Sequence, residues 1–341
     1  MAENRDVLMK IENLKTYFPV KKGVFKRTVG HVKAVDGVDL EVYRGETLGI
    51  VGESGCGKTT LGKSLLRLCQ PSEGSVHYAF SDGTKDIMRL KGNEFDKVRR
   101  NLQIVFQDPY SSLNPSFTIF GAFNDPLKKF GIGDKKERED LVARLLADVN
   151  LPRDYMTRYP NEFSGGQRQR IGIARALSVD PELIVCDEAV SALDVSIQAQ
   201  VLKLLKKLQV ERNLTYLFIT HDLSVVEYVA DRIAVMYLGK VVELAETDDL
   251  FAHTLHPYTK ALLSAIPIAD ITKKKKRIPL QGDVPSPVNP PSGCPFHPRC
   301  QHATDRCKSE VPKLRPFVFE GKSHQVSCHY GEQFAEETTS V

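Results

Sequence analysis

Short, nearly unbroken apolar runs alternate along this chain with stretches in which apolar residues return every three or four positions. Val7-Leu8-Met9-Lys10-Ile11-Glu12 predicts an opening strand. Val35, Val38, Leu40 and Val42, set against Asp36, Asp39 and Glu41, predict a second with one face buried. Further strands are expected at Leu48–Val51, Ser75–Phe80, Leu102–Phe106, Leu183–Cys186 and Tyr216–Thr220, and on either side of the turn at Gly239, over Ile233–Met236 and Lys240–Leu244. Helical spacing follows Leu48–Val51 over Leu61–Leu66. It returns where Ile197, Val201, Leu204, Leu205 and Leu208 fall on one helix face. From Asp108 to about Ser178 the pattern is mainly helical, which predicts an inserted helical subdomain. Strands alternating with helices make this an α/β protein of the doubly wound kind.

Composition narrows the class. A chain of 341 residues with 41% hydrophobic and 26% charged residues can bury a large core. No stretch reaches the roughly 18 uninterrupted apolar residues that a membrane span needs. The acidic start, Met1-Ala2-Glu3-Asn4-Arg5-Asp6, has no apolar region of the secretory kind, so a cytoplasmic protein is expected. A net charge of +4 is too small to point to nucleic acid. The basic stretch Lys21–Arg27 predicts an exposed loop, Lys273–Arg277 a solvated linker, and the prolines of Ile278–Ser292 an irregular surface segment.

The chemistry starts at Gly52-Glu53-Ser54-Gly55-Cys56-Gly57-Lys58-Thr59-Thr60. A strand precedes this segment and a helix follows it, the context of a phosphate-binding loop. Gly52, Gly55 and Gly57 let backbone N–H groups converge on a phosphate, and the helix start adds its own N–H groups and dipole. Lys58 is expected on the β- and γ-phosphates and the Thr59 hydroxyl on Mg²⁺. Downstream, the apolar run Leu183–Cys186 delivers Asp187 and Glu188, one carboxylate for Mg²⁺ and one for an attacking water. Between them, Ser164-Gly165-Gly166-Gln167 is a capping box at a helix start, open enough at its glycines to bind a phosphate as well.

In this order the phosphate loop, Gln107, Ser164–Gln167, Asp187-Glu188, Ser191-Ala192-Leu193-Asp194 and His221 resemble the ATP-binding cassette (ABC) ATPases. The resemblance covers residues of about 7 to 250. It implies a P-loop NTPase core with antiparallel β and helical subdomains, acting as a head-to-tail pair. Each ATP would then lie between one phosphate loop, Gly52 to Thr60, and the facing Ser164 helix of a second copy or sister subunit. It also implies that Gln107 contacts Mg²⁺ or the water, that Asp194 reaches the dimer interface, and that His221 contacts the γ-phosphate. Phe18 would stack on adenine, with Tyr17 beside it as the alternative.

Gln107–Pro115, Asp187–Ser196 and His256–Leu263 are similar to the ATPases of oligopeptide and dipeptide importers. Ala189-Val190 after Asp-Glu favours the F-type over the D-type subunit. This implies a sister D-type subunit or second copy, two membrane permeases and an extracytoplasmic binding protein, with this chain on the cytoplasmic face of the membrane. The expected domains are 1–255, with the helical part at about 108–178, and an extension over 256–341. Nickel or sugar uptake remains open, as does an ABC ATPase acting on nucleic acid or ribosomes. The latter would call for two cassettes in one chain, a long coiled-coil insertion or a strongly basic face, none of which is evident.

Four of the seven cysteines crowd the C-terminal part in the pattern Cys294-x5-Cys300-x6-Cys307-x20-Cys328. Soft thiolates select zinc or iron–sulfur clusters. The tight CxxC knuckles of zinc ribbons are absent. That spacing and the similarity to cluster-bearing importer subunits imply a [4Fe–4S] cluster. Zinc is the alternative, with His297, His302, His324 or His329 as substitute ligands. A short, proline-rich tail is expected to need such a centre in order to fold.

Overall fold

The structure is a computed structural model that describes residues 5–110, 112–266, 277–319 and 322–338. In chain order the first elements are β1 (Val7–Lys22), β2 (Arg27–Tyr43), β3 (Thr47–Val51), α1 (Lys58–Leu65), β4 (Glu73–Phe80) and β5 (Gly83–Asp86). Next come α2 (Gly92–Asn101), β6 (Leu102–Val105), α3 (Ile119–Lys129), α4 (Lys135–Asp148), α5 (Gly165–Leu177), β7 (Leu183–Asp187), α6 (Val195–Arg212) and β8 (Thr215–Ile219). The chain continues through α7 (Leu223–Val229), β9 (Arg232–Tyr237), β10 (Lys240–Glu246), α8 (Thr247–Ala252) and α9 (Pro257–Ser264). It closes with α10 (Asp305–Ser309), β11 (Arg315–Phe319), β12 (Lys322–Val326) and α11 (Gly331–Thr338). Among the described residues no helix is long and apolar enough to cross a membrane.

Two compact units emerge, Met1–Met88 with Thr220–Val341, and Arg89–Ile219. The first holds an antiparallel sheet in the order β2-β1-β4-β5. It also holds β3 paired in parallel with β9, from Leu48↔Arg232 to Val51↔Val235. All five residues of β3 are buried, which is why its sequence reads as a continuous apolar run rather than an alternating one. The basic stretch Lys21–Arg27 is not a loop throughout. Lys21 pairs with Thr28 and Lys22 with Arg27, so only the tip of a long hairpin turns there. Its polar residues carry no strand signal because neither face is covered.

In the second unit β6, β7 and β8 lie parallel, with Leu102↔Leu183 and Leu183↔Thr215 in register. Helix α4 opens on a capping box, Asp134 accepting from the Glu137 amide at 2.9 Å while Glu137 accepts from the Asp134 amide at 2.7 Å.

The C-terminal segment is attached by more than its cysteines. Strand β12 pairs with β10 at Glu243↔Val326 and Leu244↔Gln325. Val326 packs with Leu255, flanked by Phe317 and Cys328. His324 is wholly buried, its Nε2 2.8 Å from Glu243 Oε1 and its Nδ1 3.0 Å from Asp249 Oδ2. Phe296, also buried, meets the rings of Tyr237 and Tyr258 at 5.3 and 5.4 Å. The tail therefore has its own sheet pairing, a buried polar bridge and an aromatic anchor, where the sequence predicts little besides a metal centre. Of the four cysteines, Cys307 lies in α10. Lys273 to Lys276 of the basic run fall outside the described residues, and Arg277 is exposed.

Candidate functional site

The first unit carries the phosphate loop. Strand β3 ends at Val51 and α1 begins at Lys58, with Gly57 at its N-cap and no side chain capping it. A glycine N-cap leaves no side chain over the first turn of α1, the kind of helix start that can serve an anion. Two of the three glycines are needed for packing as well as for access. A Cβ on Gly57 would sit 2.0 Å from the Ala34 carbonyl oxygen, and one on Gly52 would sit 2.2 Å from that of Met236. Gly55 has open space around it, and its φ of +80° is left-handed backbone that favours glycine, so it serves conformation and access rather than packing. Ser54 is exposed, Thr59 and Thr60 are half-buried, and the buried Cys56 thiol is pushed upward in pKa by desolvation.

Lys58 is buried, with Nζ donating to the carbonyls of Gly52 at 2.7 Å and Glu53 at 3.0 Å. Its ammonium thus sits within the turn, held by the loop's own backbone. Thr220 donates its N–H to Ile50 O at 3.1 Å, which brings the exposed His221 alongside the strand that feeds the loop. Phe18 is 40% exposed, a free ring face available for stacking. The Tyr17 hydroxyl is instead donated to the Asp36 carboxylate, which ties that ring down.

The second unit carries the carboxylates. Asp187 ends β7 and is buried, while Glu188 is half-buried just beyond it. Glu188 has φ +48°, a left-handed backbone that costs a non-glycine residue on the order of 1 kcal/mol or more. Its N–H donates to Ile219 O at 2.8 Å, and Gln107 Nε2 donates to its Oε2 at 2.7 Å. Two separately predicted residues are thus in direct contact. The contact aims the carboxylate by its second oxygen.

Helix α5 starts with the capping box expected of Ser164 and Gln167. The Gln167 N–H donates to Ser164 Oγ at 3.3 Å, and the Ser164 N–H to Gln167 Oε1 at 3.0 Å. In front of this helix start lies a cavity of about 730 Å³ lined by Gln107, Ser164, Gly165, Gly166, Gln167 and Asp194 together with Tyr110 and Arg170. A Cβ on Gly166 would come within 2.6 Å of Ile197 Cγ2, so that glycine also lets α6 approach.

The four cysteines of the tail line one small cavity of about 20 Å³ with Phe296, His297, His302 and His329. Burial pushes the Cys294 thiol up to about 11 and Cys328 up to about 12, with the neighbouring cysteines adding to both. Thiolates are, by their chemistry, the donors that zinc and iron–sulfur clusters take. Among the described residues no group of three or more His, Cys, Asp or Glu side chains is spaced to hold a metal ion. His324 does not face this cavity's metal candidates as a ligand, because both its ring nitrogens are engaged by carboxylates.

Two residues near the phosphate loop escape a reading of the sequence. The Glu53 N–H donates to Tyr258 Oη at 2.8 Å from 205 positions away. The Arg299 guanidinium grips the Glu53 carboxylate with two bonds, 2.6 and 3.1 Å, across 246 positions. Neither contact is encoded by local spacing, since both join segments distant in the chain.

Comparison with known proteins gives the family. A family described as ABC transporter matches residues 35–191, and the oligopeptide/dipeptide transporter C-terminal region matches 242–307. The chain is 50% identical over 331 residues to the oligopeptide transport ATP-binding protein AppF of Bacillus subtilis, spanning 96% of this chain and 98% of that one. It is 51% identical over 324 residues to the probable peptide ABC transporter ATP-binding protein y4tS of Sinorhizobium fredii, spanning 95% and 90%. Among solved structures, the dimeric post-hydrolysis state of the ATP-binding cassette MJ0796 with ADP and Pi superposes with a TM-score of 0.60 at 30% identity. That match covers 70% of this chain and 99% of that chain. CbiO1 of Clostridium perfringens, part of the ABC transporter complex CbiONQ, gives 0.60 at 25% identity over 72% and 91%.

Proposed function

The chain belongs to the ABC transporter ATP-binding proteins of the oligopeptide and dipeptide family, and from this we propose how it powers peptide import and which of its residues do so. It is an ABC ATPase with the P-loop fold of that class. The observation that carries peptide transport is the nearly end-to-end match to oligopeptide transport ATP-binding proteins, C-terminal region included.

In the proposed mechanism, Gly52 to Thr60 cradle the phosphates, with Lys58 Nζ leaving its backbone acceptors for the β- and γ-phosphate oxygens. Phe18 stacks on adenine. Thr59, Gln107 and Asp187 are assigned to Mg²⁺, and their hydroxyl, amide and carboxylate oxygens are the set a hard cation takes. Held there, Mg²⁺ would supply charge neutralisation on the phosphates. Glu188 accepts a proton from the attacking water as its oxygen bonds to the γ-phosphorus, the bond to the β-phosphate oxygen breaks, and ADP and phosphate result. Gln107 orients Glu188, and His221 contacts the γ-phosphate. Ser164, Gly165, Gly166 and Gln167 bind the γ-phosphate held by the partner subunit's loop, with Asp194 at that interface. Closure on ATP and opening after hydrolysis drive the partners.

Those partners are proposed as a D-type sister subunit or second copy, two membrane permeases and an extracytoplasmic binding protein, with this chain at the cytoplasmic face. Residues 1–255 are read as the nucleotide-binding domain, with its helical part at about 108–178, and 256–341 as the importer-type extension. Cells lacking this chain are expected to lose uptake of labelled di- to pentapeptides and to regain it from the wild-type gene but not from Glu188→Gln. Unchanged uptake in the deletion would contradict peptide import.

Cys294, Cys300, Cys307 and Cys328 are proposed to hold one soft-metal centre. A [4Fe–4S] cluster is what the family resemblance implies, and a single zinc is the second reading; all four cysteines line one small cavity. Bound metal would cross-link the tail loops. Anaerobically purified protein is expected to be brown with iron in the first case, and colourless with one zinc per chain in the second. Cys300→Ser should lose the metal either way. Protein free of both metals would contradict both readings.

A further inference from the structure

The tail's grip on Glu53 has a consequence for nucleotide binding. Glu53 lies inside the phosphate loop, yet its polar groups are held by residues outside it. Its N–H donates to Tyr258 Oη, and its carboxylate takes the two-pronged Arg299 pair, whose arginine side chain is only 6% exposed. A bidentate pair this buried is not a loose surface bridge, and it fixes orientation as well as position. Arg299 is itself held in place. It closes the single helical turn His297–Arg299, which begins at Phe296, wedged against Tyr237 and Tyr258, and it precedes Cys300. On its other side Glu53 leads directly to the reactive end of the loop. Its carbonyl accepts from Lys58 Nζ at 3.0 Å and from the Cys56 N–H at 3.2 Å.

We propose that Arg299 and Tyr258 are positioning residues that clamp Glu53, so that the C-terminal extension holds the phosphate loop in its ATP-binding conformation. The inference rests on the reading of residues 52–60 as the phosphate loop. The loop is preorganised by the clamp, and without it only part of the population presents the loop correctly, which lowers apparent affinity by that fraction. The extension then acts on the nucleotide site without touching nucleotide. Whatever alters the turn between Phe296 and Cys300 reaches Lys58 through Glu53.

The test is titration of the full chain with a fluorescent ATP analogue. Arg299→Ala and Glu53→Ala are each expected to weaken binding roughly tenfold. The double variant should be no weaker than either single one, because both remove the same contact. Arg299→Lys, which keeps the charge but not the fork, should recover part of the loss. Tyr258→Phe removes one oxygen without changing the packing and should weaken binding severalfold, which decides the matter if Arg299→Ala does not fold. Wild-type affinity in Arg299→Ala or Tyr258→Phe, or additive losses in the double variant, would overturn the clamp. Lys58→Ala serves as the reference. If it binds like the wild type, the phosphate-loop reading itself has failed, and if it loses binding while the clamp variants do not, only the clamp has.

Discussion

Glu188→Gln is expected to slow multiple-turnover ATP hydrolysis by roughly 10²- to 10⁴-fold, the usual worth of a positioned general base. ATP binding should stay near wild type. Glutamine has the same shape and can sit at the same left-handed φ of +48°, so the strained turn after β7 is not disturbed. What is lost is a carboxylate that can take a proton. Gln107 Nε2 would still find an oxygen to donate to at the position now 2.7 Å away, so the orienting contact survives while the chemistry does not. Phosphate release followed over many turnovers, beside an ATP-analogue titration, separates the two effects. Turnover close to wild type would remove Glu188 from its role. A matching fall in binding would show that the substitution had damaged the site.

His324→Ala should destabilise the unit that carries it by about 2–3 kcal/mol, the cost of leaving buried carboxylates short of a hydrogen-bond partner. The ring lies between two carboxylates, its Nε2 2.8 Å from Glu243 and its Nδ1 3.0 Å from Asp249, in a site with no exposure of the imidazole. Glu243 would keep two backbone donors, the N–H groups of Leu255 and His256, and Asp249 would keep His253 at 3.0 Å. Neither group of donors replaces a doubly shared imidazole, so two partly compensated carboxylates remain buried. Because β12 also carries the chain into Cys328, amides of β12 should exchange with solvent faster even where the rest of the unit stays folded. Urea unfolding with hydrogen exchange reads both. A shift of the denaturant midpoint worth less than about 1 kcal/mol would show the bridge to be dispensable.

What could be read from the sequence is what local pattern encodes. Leu183–Cys186 is continuous and apolar because both faces of β7 are covered, and the strand runs to Asp187. The hairpin of β9 and β10 about Gly239 follows from two apolar runs and a turn residue. Ser164 and Gln167 announce a helix start because a capping box needs residues three apart. Helix α2 has no such signature. Val98 is its one buried residue, so it shows no apolar stripe. The tail was the harder case. Its anchors are Val326 against Leu255, His324 between Glu243 and Asp249, and Phe296 among Tyr237 and Tyr258, all pairings between distant segments. The same holds for Arg299 on Glu53, a contact across 246 positions of the chain. Motif spacing therefore reveals the parts that contact nucleotide, while the parts that hold them in place require the folded chain.

The most direct measurement is co-purification of tagged Glu188→Gln protein from detergent-solubilised native membranes in the presence of ATP. With hydrolysis blocked, the ATP-bound assembly should persist. The expected companions are two membrane permeases, a second ATP-binding subunit or another copy of this chain, and an extracytoplasmic peptide-binding protein. Ribosomal proteins or nucleic acid in their place, with no membrane subunit, would contradict the account of this chain as the engine of a peptide importer.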